Sequence, residues 1–576
     1  MKKNFVLCFL FCFLSALIDL CYFHQAYADQ LILYVQYHSW ALGGLRLAVH
    51  ALILLSVSAA FLVLLGSVPK VGSVLQWGAW FLLNASYHVF YEVMHRLPDA
   101  QDVRNLLATP WDMASGTILA VVSPMNLLKG CMPATLVMTV FLLGKYALKT
   151  HHGVKPQKTS TPARQTMTAV AALIIISLYL LYPTGRHVFF DSLSNSMHIF
   201  MQYYGEAQYY RIPREDYVTD APRINPNDNV VLVIDESIRG DYLSINNSSV
   251  DTTPVLEKYF RSLPENMWNY GIALSAGTNS LLSQGAIFTG VMELPDKNFS
   301  SLRHPTLFQV AKGNHYKTIL IDLQGYFPNV VIRRNDMQHI DEVHLKWSDF
   351  SNDPKIADIN AAKVLHERLK REKGLFVVLI KWGAHVHYEG RYPGEKREHQ
   401  HYLPKLDVGE RHTLDKRREI INSFKNAVRF NVDGFVAALL GDEPLSLPDT
   451  TVLWVSDHGQ SFQEDGQIEP HSTGYLEQAL VPFMLFSTEP WVSEHVRRPE
   501  AIGGTLSQLN IYPTLMSVFE RRQNVRRGDF LSLFWSGEWR SPPLFYISGG
   551  SLWNSVLSAP SVSNDRVVLR SEKYMY

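Results

Sequence analysis

The stretch "NVVLVIDESIRGD", Asn229 to Asp241, decides the class of fold. It begins with an apolar run rich in β-branched side chains, and such a run is typical of a strand that is buried on both faces. The run stops at two carboxylates, Asp235 and Glu236. Because acids rarely end a buried strand without a partner, their position raises the question of what they bind.

Similar runs recur downstream and alternate with amphipathic stretches at 356–372 and 414–440. This alternation predicts an α/β domain with a mostly parallel sheet covered by helices, and ligands bind beyond the carboxyl ends of the strands in such sheets. The predicted strands are 229–235, 317–323, 375–381, 451–456 and 481–486.

Three of these strands end in acids or imidazoles. Glu236 follows "VVLVID", His385 and His387 follow "LFVVLIKWGA", and Asp457 and His458 follow "TVLWVS". Each residue taken alone is readily explained as a helix cap or a turn residue. Together, at one edge of a sheet, they favour a divalent metal site, and the imidazoles favour zinc.

A candidate nucleophile lies in "GIALSAGTNSLLSQGAIFTG", Gly271 to Gly290. Small residues lead to Thr278, and a helix-like run follows it. This order would place the Thr278 hydroxyl at a helix N-terminus, where a metal and the helix dipole would lower its pKa. The alternative from this segment alone is that Thr278 is a plain N-cap.

The first 185 or so residues are mostly apolar, and basic residues gather in the short loops between apolar runs. Five runs are of the length that a membrane-spanning helix needs, and the basic loops predict a cytoplasmic N-terminus. An odd number of crossings then places everything after Pro183 outside the cytoplasm. The predicted spans are roughly 4–23, 47–68, 72–92, 120–147 and 167–184.

These observations predict three parts of the chain. Residues 1–184 would form a transmembrane domain of five helices, residues 185–221 an aromatic-rich interfacial linker helix, and residues 222–576 a catalytic domain that is periplasmic or extracellular. All four cysteines precede the last part, so that domain is expected to be stable without disulfides. Lys and Arg balance Asp and Glu at 53 each, which argues against a nucleic-acid partner.

Five segments in the outer part carry a family resemblance. The outer domain resembles the alkaline phosphatase and sulfatase superfamily, and the whole chain resembles the bacterial inner-membrane phosphoethanolamine transferases. The segments, in the family's order, are "DESIRGDYLSIN", "SAGTNS", "GAHVHYEGRYP", "NAVRFNVD" and "VSDHGQSFQEDGQIEPHSTGY".

The resemblance implies a zinc site with one or two ions, in which Thr278 is also the nucleophile. It implies that His385 and His471 serve a second metal or the phosphate, with His387 a less certain neighbour. The zinc ligands that it implies are Glu236, Thr278, Asp457 and His458.

It further implies a reaction in which phosphoethanolamine passes from phosphatidylethanolamine, through a phospho-threonine intermediate, to a cell-envelope acceptor. Lipid A, the lipopolysaccharide core and periplasmic glucans all remain open as acceptors, and a monomer is expected. In "NLLATPWDM", Asn105, Thr109 and Asp112 are candidates for binding the lipid head group, although Met113 stands where the family has Glu.

Two alternatives stay open, a glycerol-phosphate transferase and a non-catalytic binding protein, and a third, a sulfatase, is disfavoured. A glycerol-phosphate transferase of the lipoteichoic-acid-synthase type would share the fold, the five spans and the Thr nucleophile. A sulfatase would need a Cys-x-Pro-x-Arg-type motif, and Thr278 is instead followed by Asn-Ser-Leu-Leu. A non-catalytic, membrane-anchored binding protein is expected to lack one of the ligands, and here all four are present.

Overall fold

Contacts divide the protein into two compact units, with the described residues up to His151 in the first unit and those from Ile212 onward in the second. The computed structural model describes residues 2–22, 58–63, 72–94, 124–151, 212–219, 226–292, 300–325, 327, 331–393, 401–407, 410, 412–464, 471, 475–541, 544–547 and 561–562.

The first unit is helical where it is described. Helices α1 (Lys2–Tyr22), α2 (Gly72–Met94) and α3 (Pro124–His151) lie at three of the predicted spans, and residues 58–63 are also helical. Their core includes Phe11, whose ring packs edge-on against Trp80 at a centroid distance of 4.6 Å. Asp19, which interrupts the first apolar run, is buried and lies 3.1 Å from His88.

Among the residues described, no helix combines the length and the apolar character that crossing a membrane requires. The predicted span 167–184 lies outside the described residues, as does most of 47–68. Residues 185–211, 220 and 221 of the predicted interfacial helix also lie outside them, and residues 212–219 of that predicted helix are described without helical structure. The predicted domain boundaries therefore stay predictions.

The second unit is built on a seven-stranded sheet in the order β2-β7-β6-β1-β5-β3-β4. The five strands from β6 to β4 run parallel, while β7 is antiparallel to both of its neighbours. The strands are β1 (Asn229–Asp235), β2 (Met267–Leu274), β3 (Lys317–Asp322), β4 (Glu342–His344), β5 (Leu375–Ile380), β6 (Thr450–Ser456) and β7 (Leu480–Ser487). Among the described residues, four two-residue strands lie outside the sheet: β8 (Arg526–Arg527), β9 (Phe530–Leu531), β10 (Leu544–Phe545) and β11 (Ser561–Val562).

Helices cover both faces of the sheet, which explains why the central strands are apolar throughout. Val230, Leu232 and Ile234 of β1 belong to one buried cluster, and Val231 and Val233 belong to another on the opposite face. The helices of this unit are α4 (Pro254–Ser262), α5 (Ser280–Thr289), α6 (Ser300–Arg303), α7 (Leu307–Gly313), α8 (Ala357–Arg371), α9 (Arg417–Val428), α10 (Gly434–Leu440), α11 (Pro490–His495) and α12 (Ile511–Glu520).

The register of the central strands sets where their ends meet. Ile234 of β1 pairs with Ile380 of β5 on one side and with Val455 of β6 on the other. Asp322, the last residue of β3, also pairs with Ile380. Four carboxyl ends therefore lie side by side at one edge of the sheet, as the sequence predicts for three of them.

Candidate active site

Glu236, Asp457 and His458 form a tight cluster at the carboxyl edge of the sheet. Their ligand atoms lie within 4.8 Å of one another. His458 Nε2 is 3.6 Å from Glu236 Oε1 and 3.7 Å from Asp457 Oδ2. All three residues are at most 2% exposed, so these charges are removed from water and need compensation inside the protein.

The cluster forms because β1 and β6 are neighbours in register, with Asp235 opposite Ser456. The residues that follow these two positions must then lie side by side. Asp457 Oδ1 accepts hydrogen bonds from the backbone N–H of Ser237, at 3.0 Å, and of His458, at 2.7 Å. Asp457 Oδ2 is buried and has no hydrogen-bond partner among the residues described.

The His458 ring is oriented by the backbone of the residue that follows it. Nδ1 lies 2.8 Å from the carbonyl oxygen of Gly459. Because a carbonyl only accepts, Nδ1 carries a proton, and in the neutral ring the lone pair is on Nε2, which faces the carboxylates. This is how a metal-binding histidine is commonly held.

Burial and neighbouring charges act on each group of the cluster. Burial would raise the pKa of Glu236, but its electrostatic interactions with His458 and His385 bring that pKa below its ordinary value. Burial and the charge of Glu236 raise the pKa of Asp457. Burial would lower the pKa of His458, but Asp457 and Glu236 raise it. Two carboxylates facing one imidazole make a site that would be stabilised by a cation.

Thr278 lies in the connection between β2 and α5, one residue before the helix cap. Asn279 is the N-cap, because its side chain accepts a hydrogen bond from the N–H of Leu282 at 3.1 Å. The interpretation of Thr278 as a plain N-cap is therefore wrong. Its side chain is buried, and Oγ1 has no hydrogen-bond partner in the described part of the chain.

The connection that carries Thr278 is fixed to the cluster at both of its ends. Ser275 Oγ donates to the carbonyl oxygen of Asp457 at 2.7 Å, and Ser280 Oγ donates to Glu236 Oε2 at 3.4 Å. Thr278 is held between these two contacts. The structure thus brings the candidate nucleophile to the same sheet edge as the candidate ligands.

Two further histidines adjoin the cluster as the sequence predicts. The ring of His471 lies 5.0 Å from that of His458 and 5.7 Å from that of His385, between centroids. Burial lowers the pKa of His385, so that ring is held towards its neutral form. His387 does not join them: it contacts Glu389 and His412 instead.

No pattern in the sequence points to Gln324, which follows β3 and contacts the cluster. Its Nε2 donates to Glu236 Oε2 at 2.9 Å and to the carbonyl oxygen of Lys381 at 2.6 Å. A glutamine that follows a strand is as common in turns as in functional sites. Only the pairing of β3 within the sheet would have placed Gln324 beside the cluster. The remaining candidates Asn105, Thr109 and Asp112 lie outside the described residues.

The two acids at the end of β1, Asp235 and Glu236, have different partners. Glu236 faces the cluster, whereas Asp235 Oδ2 accepts a hydrogen bond from Lys381 Nζ at 2.6 Å. Burial raises the pKa of Asp235 to about 6 although Lys381 lowers it. Asp235 therefore pairs with a buried charge inside the sheet, whereas Glu236 belongs to the cluster of candidate metal ligands.

Comparison with known proteins places the chain in a family. The family model described as Sulfatase matches residues 228–520. Phosphoethanolamine transferase EptC of Escherichia coli O18:K1:H7 (strain RS218 / NMEC) is 27% identical over 286 residues, which cover 46% of this chain and 46% of that protein. Phosphoethanolamine transferase EptA of Escherichia coli O157:H7 is 24% identical over 356 residues, covering 57% and 60%.

The chain spans about half the length of the EptC protein that it matches. Among solved structures, the integral membrane protein lipooligosaccharide phosphoethanolamine transferase A from Neisseria meningitidis has a TM-score of 0.57 and 17% identity. That match covers 88% of this chain and 95% of the other, and it shows a shared fold.

Proposed function

The chain belongs to the sulfatase family, and from this premise we propose that it transfers phosphoethanolamine from phosphatidylethanolamine to an acceptor of the bacterial cell envelope. One observation carries the proposal: the buried Thr278 Oγ1, which has no hydrogen-bond partner in the described residues, lies on a connection fixed to Glu236 and Asp457. The curated relatives with similar sequences are named phosphoethanolamine transferases, which supports this reaction over sulfate ester hydrolysis.

In this proposal Glu236, Asp457, His458 and Thr278 would hold a zinc ion. The donor set fits the ion, because it combines carboxylates with an imidazole whose Nε2 faces them. Two buried oxygens that lack a hydrogen-bond partner among the described residues, Asp457 Oδ2 and Thr278 Oγ1, fit it as well. Zinc bound there would supply Lewis-acid chemistry and lower the pKa of the threonine hydroxyl.

The protein residues would act in two displacements. Thr278 Oγ1 forms a bond to the phosphorus of the donor, the bond from phosphorus to the glycerol oxygen breaks, and diacylglycerol leaves. An acceptor oxygen then attacks the phosphoethanolamine-threonine ester, and the threonine oxygen is released. In the first step, His385 or His471 would take the proton of the Thr278 hydroxyl and give it to the leaving glycerol oxygen. In the second step, the same imidazole would take the proton of the acceptor and give it to the released threonine oxygen.

A membrane position of the protein completes the proposal. Residues 1–184 would span the inner membrane five times with a cytoplasmic N-terminus, residues 185–221 would lie at its surface, and residues 222–576 would work in the periplasm as a monomer. Proximity to the lipid surface would then favour capture of the donor. Asn105, Thr109 and Asp112 would contact the head group of the donor.

Intact mass of the full chain in detergent tests the reaction. After incubation with phosphatidylethanolamine, the wild-type protein should gain about 123 Da, the mass of one phosphoethanolamine group replacing a proton, and a chelator should prevent the gain. Thr278→Val, which has the same shape without the hydroxyl, should gain nothing. Thr278→Ser should still form the adduct.

The outcomes separate the alternatives. Diacylglycerol release without an adduct would indicate rapid hydrolysis of the intermediate and still identify the donor. An adduct formed only from phosphatidylglycerol would replace the proposal with the glycerol-phosphate transferase. If neither lipid is cleaved and no adduct forms, the protein would be a binding protein rather than this enzyme.

A further inference from the structure

We propose that His387, Glu389 and His412 form a second divalent-cation site, distinct from the cluster around Glu236. One ligand atom from each of the three residues can be chosen so that all lie within 4.8 Å of one another. Glu389 Oε2 is 3.3 Å from His412 Nε2, and Glu389 Oε1 is 3.7 Å from His387 Nδ1. Two imidazoles and one carboxylate are a ligand set of zinc sites that keep a fourth position open.

The burial of Glu389 is the strongest argument for a cation. Its side chain is only 2% exposed, and its ion-pair contacts within the described residues are with the two imidazoles alone. A buried carboxylate is costly unless it is paired with a positive charge or bound to a metal. Arg391 attracts Glu389 only from beyond ion-pair distance.

The imidazole of His387 is the second, independent argument. Neither ring nitrogen has a hydrogen-bond partner among the described residues, although both atoms are buried. The ring stands edge-on to that of His412, with 4.7 Å between the centroids and 84° between the planes. An imidazole that is withdrawn from water and forms no hydrogen bond is suited to metal binding.

The third ligand, His412, comes from a different part of the chain than His387 and Glu389. A cation bound by all three would therefore have a structural role. The ring of His412 packs on that of Tyr388 at a centroid distance of 5.3 Å. Tyr388 OH donates to Gln460 Oε1 at 2.6 Å, and Gln460 Nε2 donates to the carbonyl oxygen of Ala384 at 3.0 Å. A cation here would tie the segment before α9 to the one that carries His385.

Metal counting on the full chain purified in detergent tests the site. After saturation with zinc and removal of excess, His412→Gln should hold one equivalent less than wild type. Asp457→Asn should lose a different equivalent, so the double variant should lose two. His495→Gln is the matched control, because His495 is a partly buried histidine that bonds the carbonyl oxygen of Trp491 outside both clusters.

Thermal unfolding supplies a readout that does not need activity. Added zinc should raise the Tm of the Asp457→Asn variant, which keeps the second site, and raise it less when His412→Gln is also present. Equal zinc content in wild type and His412→Gln would overturn the proposal, as would a loss of zinc in the control. His412 is the more accessible ligand, so its variant is a safer test than Glu389→Gln if the latter does not fold.

Discussion

At the scale of single residues, Lys381 carries a positive charge into the interior of the protein. Its Nζ lies 2.6 Å from Asp235 Oδ2, donates to the carbonyl oxygen of Asn431, and stands 4.2 Å above the ring of Phe435. Both charged side chains are fully buried. A pair of this kind is stabilising only while both partners are present, because either one alone is an uncompensated buried charge.

Replacement of Lys381 by Met is therefore expected to destabilise the second unit strongly. The loss should be about 3–5 kcal/mol in the free energy of unfolding, measured by urea denaturation of the full chain in detergent. The control is Lys373→Met, which breaks a half-exposed pair with Asp449 and should cost less than about 1 kcal/mol. Similar losses in the two variants would contradict this account.

The sequence predicts the ligands of the site better than their supporting residues. Glu236, Asp457 and His458 are recognisable because several apolar strands deliver acids and imidazoles to the same edge of one sheet. Gln324 and Lys381 lie at the same edge of the sheet, but their contacts with Glu236 and Asp235 depend on which strands are neighbours. Strand order is a property of the folded chain, and no local pattern encodes it.

At the scale of secondary structure elements, Arg368 of α8 joins the edge strand β4 to the rest of the domain. Its guanidinium donates to Glu342 Oε2 at 2.7 Å and to Glu372 Oε1 at 2.6 Å. The hydrogen bonds that Glu342 accepts, from Arg368 above all and also from His344, lower the pKa of Glu342 to about 2 although partial burial would raise it. The ionised form of Glu342 is thus preferred in the folded state.

The lowered pKa of Glu342 determines the direction in which the stability of the protein changes with pH. A carboxylate whose pKa is lowered on folding stabilises the protein above its unfolded pKa of 4.5, and this stabilisation is lost as the pH falls towards 2. Because Glu342 is partly exposed, the effect should be about 1 kcal/mol or less.

The difference in unfolding free energy between wild type and Glu342→Gln, measured by urea denaturation, should shrink between pH 4.5 and pH 2. Glu494→Gln, which removes an exposed acid elsewhere, should show no such change. A difference that stays constant across this window would rule out the coupling.

Elements that are buried on both faces were predictable, and edge elements were not. The five predicted strands are confirmed as β1, β3, β5, β6 and β7, with ends that differ by one residue at most. The prediction missed β4, which has three residues and is only partly buried, and β2, where the register shifts between Asn269 and Ile272. Polar and glycine residues are tolerated at edges, so the apolar pattern fades there.

At the scale of the whole molecule, the second unit must be stable without disulfides, since all four cysteines lie before residue 132. Its interior also holds two carboxylates, Glu236 and Asp457, in contact with one imidazole. A bound cation would offset their repulsion. Metal binding and the stability of the domain are therefore expected to be coupled.

Removal of zinc should lower the Tm of the full chain. A free zinc concentration 100-fold above Kd would stabilise the folded state by about 2.7 kcal/mol, and a chelator should abolish this. The variant Asp457→Asn should respond less to the chelator and, without metal, should be more stable than metal-free wild type, because one buried charge is gone. Greater sensitivity of this variant to chelator would count against the cluster as the metal site.

The position of β1 in the middle of the sheet bears on when the site comes into being during protein synthesis. The strand emerges first, yet its neighbour β6 is made much later, and the bond from Ser237 to Asp457 spans 220 residues of chain. A partly translated chain has Glu236 without the acid and imidazole that meet it. Metal capture at this cluster must therefore follow the completion of translation through β6, and nascent chains would not compete for the ion there.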